Sequence, residues 1–224
     1  MTEMAADLKA DEAVRKNVGE ELRWDTRLQT SEIGVVVADG VATLTGNVDS
    51  LLKKFAAEDA AQHVHGVRAV ANEIEVRLPS LSERSDSDIA HAVATALEWD
   101  TFVPKNRIHT TVTNGRVTLS GEVEWQHQRY SAEEAVRHLM GVKAIDNQIT
   151  IKPQPVPAGL KATIEAALVR GAKHDAHKIR VEVLGRTIIL RGTVRSWAER
   201  NQAQMAAWSA PGVNTVQNLI SVSI

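Results

Sequence analysis

The sequence predicts an α/β (α+β) fold of three tandem αββαβ modules, each a three-stranded mixed sheet with two helices on one face. Two observations carry this. The chain repeats itself at spacings of 75 and 71 residues, and within each repeat the apolar period switches from that of a helix to that of a strand. Gly46-Asn47-Val48, Gly121-Glu122-Val123 and Gly192-Thr193-Val194 are in register, as are Gly66-Val67, Gly141-Val142 and Gly212-Val213, and then Asn72, Asn147 and Asn218.

Each copy opens with a one-stripe amphipathic helix. Val14, Val18 and Leu22 recur every four residues and correspond to Ile89, Val93, Leu97 and to Ile164, Leu168, Ala172. In the second copy Asp86 or Ser87 is the expected cap. Two strands follow, joined by Asp39-Gly40, Asn114-Gly115 and a Leu184-Gly185-Arg186 turn. Such dipeptides between period-two segments mark tight hairpins. The second strand runs Ala42, Leu44, Gly46, Val48, matched by Val117, Leu119, Gly121, Val123 and by Ile188, Leu190, Gly192, Val194. The opposite face is polar in the first two copies and mixed in the third, where Ile189 is expected to rest against another surface or to be shielded by Arg191.

The second helices, over about 51–64, 126–139 and 197–210, are rich in alanine, which lets a helix lie close to a sheet. Gly46, Gly121 and Gly192 are expected to serve the same close approach. Gly66, Gly141 and Gly212 are expected at the helix C-caps with positive φ. The last strand alternates again, and its inward Asn72, Asn147 or Asn218 must find hydrogen-bond partners, expected on backbone beside the helix end. A strand, helix and parallel strand make a right-handed crossover.

Modules of about 65–70 residues are marginal alone, so contacts between copies are expected. The second linker, Lys152 to Gly159, alternates prolines and reads as stiff, predicting that the third copy is held apart.

The repeat resembles the BON domain, a bacterial module. The residues that carry the resemblance are the Asn-Gly turn, Val117-Thr118-Leu119-Ser120-Gly121-Glu122-Val123, and Gly141-Val142 leading to Asn147-Gln148-Ile149-Thr150-Ile151. It bounds the modules at 8–78, 84–152 and 158–224. It departs from the pattern at Ala42 and at the third turn, which has no Asp or Asn before Gly185. The resemblance implies a non-enzymatic protein that binds phospholipid or holds proteins at membranes, in some members linked to osmotic stress or chaperone-like roles.

Composition agrees with a globular chain: 43% of residues are apolar and 24% charged. With no cysteine, thiolate catalysis, disulfides and zinc–thiolate sites are excluded. The start, Met1 to Asp7, has neither the basic residues nor the apolar run of a secretory signal. The expected location is cytoplasmic, peripheral at the inner membrane, or periplasmic if the true start lies upstream.

The net charge of −2 conceals a gradient. Residues 1–78 carry 9 Lys and Arg against 14 Asp and Glu, and residues 158–224 carry 9 against 4. The acidic first module and the basic third permit head-to-tail homo-oligomers.

No serine elbow, His-Glu-x-x-His or Walker loop is present, so no catalytic residue, cofactor or metal site is expected. His63, His65, His138, His174 and His177 read as solvated helix ends. Trp24-Asp25 and Trp99-Asp100 end the first helices. Their rings either cover the bottom of their own core, the reading preferred here, or enter headgroups or a partner. Phe102 and Val103 add apolar exposure to the second loop. In the third module Arg191, Arg195 and Arg200 surround Trp197. That cluster suits an anionic phospholipid surface or a protein partner, with nucleic acid ranked below both. An ordinary solvated basic face is the competing explanation. The function expected is peripheral phospholipid binding with a link to stress response; the alternative is a cytosolic protein-interaction or self-assembling scaffold with chaperone-like character.

Overall fold

The computed structural model describes residues 2–28, 33–153, 155, 157–171 and 179–222, with the side chains of 2–9 and 171 left aside. Module 1 comprises α1 (Thr2–Trp24), β1 (Ile33–Ala38), β2 (Val41–Val48), α2 (Leu51–His63), β3 (Ala69–Asn72) and β4 (Glu75–Val76). Module 2 comprises α3 (Asp86–Trp99), β5 (Ile108–Thr113), β6 (Arg116–Val123), α4 (Gln126–Arg137) and β7 (Ala144–Ile151). Module 3 comprises α5 (Leu160–Gly171), β8 (Ile179–Leu184), β9 (Thr187–Val194), α6 (Trp197–Trp208) and β10 (Thr215–Val222).

The topology is the same three times. A hairpin pairs the first two strands antiparallel, and the second helix carries the chain over to a third strand that pairs parallel with the second. In module 1 this third strand is interrupted between β3 and β4, both of which pair with β2, so that sheet counts four strands. Each core lies between sheet and helix pair. Val18, Leu22, Ala57, Ala61, Leu44 and Ile74 form it in module 1, and Ile164, Leu168, Ala203, Ala207, Leu190 and Ile220 in module 3. Alanines at the helix–sheet contact are fully or almost fully buried, which is what lets the second helix seat closely.

The hairpin turns differ in chemistry. Asp39 and Gly40, and likewise Asn114 and Gly115, all have positive φ, as a two-residue type I′ loop requires. A carboxylate on the first helix straps each turn. Asp39 N and Gly40 N donate to Asp11 at 2.8 and 3.0 Å, and Asn114 N and Gly115 N donate to Asp86 at 2.8 and 2.9 Å. Asp86 is therefore occupied by the turn, and neither it nor Ser87 caps α3. Ser85 does, accepting from Asp88 N at 3.1 Å. Module 3 has Lys161 at the strap position. There the loop residues are Gly185-Arg186, and only Gly185 has positive φ.

Two glycine expectations are corrected. Gly46, Gly121 and Gly192 have φ of 116°, 137° and 141°, and at Gly121 the close neighbour is a strand entry, not a helix. A Cβ on Gly121 would stand 2.1 Å from the Arg107 carbonyl oxygen, at the entry of the adjacent strand β5. The turn glycines do have positive φ, yet they stand past the caps. Val64 closes α2, His138 closes α4 and Ser209 closes α6. Gly66 and Gly141 make room for the first helix: a Cβ would meet Val14 at 2.5 Å and Ile89 at 3.0 Å.

The third asparagine of each repeat forms a clasp. Asn72 Nδ2 donates to the Lys54 carbonyl and to Glu58 Oε2, while its Oδ1 accepts from Ile74 N. Asn147 does the same with Arg129, Glu133 and Ile149, and Asn218 with Arg200, Gln204 and Ile220. The acceptor carbonyl lies in the first turn of the second helix. A cation at that same residue answers in the other direction. Lys54 Nζ donates to the Ile74 carbonyl at 2.7 Å, Arg129 to Asn147, and Arg200 to Asn218 and Ile220.

The third module is not held apart. Trp197 Nε1 donates to the Val67 carbonyl of module 1 at 2.8 Å, and Asn214 Nδ2 donates to the Ile151 carbonyl of module 2 at 3.1 Å. Module 1 in turn packs Leu51, Phe55 and Val76 onto the core of module 2, with the Arg137 guanidinium 4.2 Å from the Phe55 ring centre. Each module thus touches both others. A stiff linker sets a path without dictating separation, and marginal modules gain from covering one another.

Candidate binding surface

The tryptophans that end α1 and α3 stand on the outside. Trp24 and Trp99 are each 82% exposed, so the preferred expectation that they cover their own cores is overturned. The aspartate after each explains the outcome. Asp25 accepts from Arg27 N at 2.9 Å and Asp100 from Phe102 N at 2.8 Å, a side-chain turn that ends the helix. Leu28 N and Val103 N then bond back to the carbonyls of Asp25 and Asp100. Leu28 and Val103, each 6% exposed, are the residues that plug the core bottom. Val103 therefore adds nothing to the exposed loop, whereas Phe102 is 62% exposed and meets His127 edge-on at 6.0 Å. Trp99 and Phe102, three residues apart across one turn, are both largely exposed. The counterpart His174-Asp175, and with it His177, lies outside the described residues.

The electrostatics around Trp24 are local. The Arg27 guanidinium beside Asp25 holds that carboxyl below the usual aspartate range. Trp24 shares an open hollow with Asn17, Glu20, Glu21, Val64 and His65, an acidic setting that repels anions.

The basic cluster of module 3 disperses. Arg200 is half-buried and spends its donors on the Asn218 and Ile220 carbonyls, stacked 4.7 Å from the Trp197 ring centre. Burial pushes its guanidinium below the ordinary arginine value. Trp197 is committed to module 1. Arg191 pairs with Glu182 at 3.6 Å on the outer sheet face, where Ile189 is buried between its register neighbours Glu182 and Gln217. Arg195 N donates to Glu199 Oε2. Of the six candidate binding residues, the structure leaves Trp99 and Phe102 exposed and turns Trp197 and Arg200 inward. The turned-in role was legible only as the repeat position 54, 129, 200, always a cation.

His63 Nδ1 and His138 Nδ1 each turn back to a helix carbonyl, of Asp59 and Glu134. Among the described residues no group of three His, Cys, Asp or Glu could hold a metal ion. No helix among them is long and apolar enough to cross a membrane.

Three small sheets, each backed by two helices, make a tandem array of one repeated module. The family model for the BON domain matches residues 10–77, 85–153 and 158–223, and the chain belongs to that family. It is a non-catalytic BON-domain protein. It is 30% identical over 148 residues, 63% of this chain and 73% of the relative, to osmotically-inducible protein Y of Escherichia coli (strain K12). Two solved structures of CdsD, a structural protein of the type III secretion system of Chlamydia trachomatis, align at 12% identity. The C-terminal-domain structure covers 93% of this chain and 96% of that one with a TM-score of 0.27; the other covers 92% and 90% with 0.25. That likeness is too loose to carry anything over.

Proposed function

We propose that the chain attaches peripherally to a phospholipid surface through the corner of module 2 that bears Trp99 and Phe102. The observation that carries the reading is the exposure of these two rings, which no core requires. Large amphipathic rings on a loop are suited to the headgroup boundary. The surplus of Lys and Arg in residues 158–224 adds attraction to an anionic leaflet at a distance, screened by salt. Membership of the BON family supports a phospholipid-associated role, and the name of the E. coli relative supports a link to osmotic stress.

The alternative is a scaffold in which the acidic first module of one chain meets the basic third module of another; within one chain Trp197 joins module 3 to module 1.

Flotation of the full-length protein with phosphatidylcholine vesicles, with and without phosphatidylglycerol, tests the proposal. Co-flotation that weakens in salt and is lost in Trp99→Ser/Phe102→Ser is expected. Failure to float with either vesicle, or flotation unchanged in that variant, overturns it. Self-association in light scattering without flotation would favour the scaffold.

A further inference from the structure

The seam between modules 2 and 3 holds an open groove of about 550 Å³ between α4 and α6, a volume ordinary for small-molecule sites. The repeat shows what is unusual about it. Residue 51 of module 1 corresponds to Gln126 and Trp197, residue 55 to Tyr130 and Asn201, and residue 137 of module 2 to Gln62 and Trp208. At the seam of modules 1 and 2 these positions fill the space themselves, with Leu51 buried and Phe55 beneath Arg137. At the seam of modules 3 and 1, Trp197 reaches Val67. At the seam of modules 2 and 3 the same positions are Gln126, Tyr130 and Trp208, and they leave a hollow.

Trp125 sharpens the point. The equivalent residues Ser50 and Ser196 cap their helices, accepting from Lys53 N and Glu199 N. A tryptophan makes no such cap. Gln128 compensates by accepting from Glu124 N and Trp125 N. Module 2 thus forgoes its serine cap and gains an indole on the groove wall.

The lining chemistry names the occupant. Trp125, Tyr130 and Trp208 supply aromatic surface, and Gln126, Asn201 and Gln204 supply amide donors and acceptors. None of the nine lining residues is Asp, Glu, Lys or Arg, and His127 is the one basic side chain among them, so the groove offers little counter-charge to a phosphate or carboxylate. A lipid tail would strand these amides. A pyranose has flat C–H faces for the rings and hydroxyls for the amides. We propose that this groove binds a neutral carbohydrate; it borders the Phe102 ring through His127 but does not include Trp99.

The test titrates full-length protein with maltotetraose, cellotetraose and chitotetraose, read by calorimetry and tryptophan fluorescence. Saturable binding to at least one sugar is expected. It should weaken by about tenfold or more in Trp125→Ser, which restores the serine of the other modules, and in Trp208→Gln, which copies module 1. Trp125→Ser should melt no lower than the parent; Trp208→Gln gives up a ring packed against the core of module 3, so its titration is read below its own melting onset. Trp99→Ser alone should bind sugar as the parent does, which separates this site from the membrane reading; Phe102 stays in place because its ring meets His127 of the groove wall. No signal with any of the three up to about 10 mM, well above a millimolar Kd, overturns the proposal. So does equal affinity in both groove variants, or capture of an uncharged apolar peptide in preference to every sugar.

Discussion

The clasp asparagine makes three hydrogen bonds from one half-buried side chain, and each repeat keeps all three. Replacing Asn147 with Ala strips the Arg129 carbonyl, Glu133 and Ile149 N of a partner at once. Lost hydrogen bonds at a half-buried site should cost about 2 kcal/mol, seen as a lower denaturant midpoint with an unchanged slope. Gly121 and Gly159 offer a sharper comparison. Both have positive φ, but a Cβ on Gly121 would collide with the Arg107 carbonyl, whereas nothing lies within 4 Å of one on Gly159. Gly121→Ala should lose about 3 kcal/mol or more, and Gly159→Ala only about 1 kcal/mol, the left-handed backbone penalty alone. Equal losses in urea melts would refute this account of the strand glycine. The repeat marked these positions in the sequence, since identity at fixed spacing singled out Gly46, Gly121 and Gly192. It did not say which neighbour the missing Cβ avoids, because a strand's approach to the next strand leaves no periodic trace. For Trp24 and Trp99 the outward position follows from the aspartate turn behind them. Without that turn in view, an apolar ring at a helix end looks like core.

Elements were the most legible scale. The helix stripes through Val18 and Val93, the hairpin dipeptides and the alternating last strands all appear where their periods place them. Caps were less so, because Asp86 looks like an N-cap until its hairpin folds back onto it. The first helix and its hairpin are coupled in modules 1 and 2 by that carboxylate strap, and module 3 lacks it. Asp86→Ala should therefore loosen the α3 to β5–β6 contact by about 1–2 kcal/mol and speed amide exchange at Asn114 and Gly115. Mutating Lys161 should leave the β8–β9 turn unaffected. Acid should act on the same helices. Side-chain hydrogen bonding lowers Glu12 through Arg15, Asp25 through Arg27 and Asp88 through Ser85. A carboxyl depressed in the folded state adds stability above its ordinary pKa and loses it as pH falls through the depressed value. The melting temperature should hold near neutrality and decline below about pH 4. The decline should be slight, because these groups face solvent.

For the whole molecule, the sequence revealed three modules and a charge gradient, yet not that each module touches both others. Contacts such as Trp197 to Val67 join residues 130 positions apart through one indole N–H, and no pattern in a chain announces a single donor. Trp197→Phe keeps most of the ring and removes that donor. Small-angle scattering should then report a larger radius of gyration, and thermal unfolding should separate module 3 from the rest. An unchanged radius with one shared transition would show that the remaining contacts suffice.

The circuit of contacts has a consequence for truncated chains. Removing residues 158–224 would bare the Val67 carbonyl on one flank and the Ile151 carbonyl with Tyr130 on the other. Two such fragments could each lend the face that the other lacks. Shortened versions of this protein should then exchange modules between molecules and concentrate into mixed-size species, where the intact chain remains content with itself.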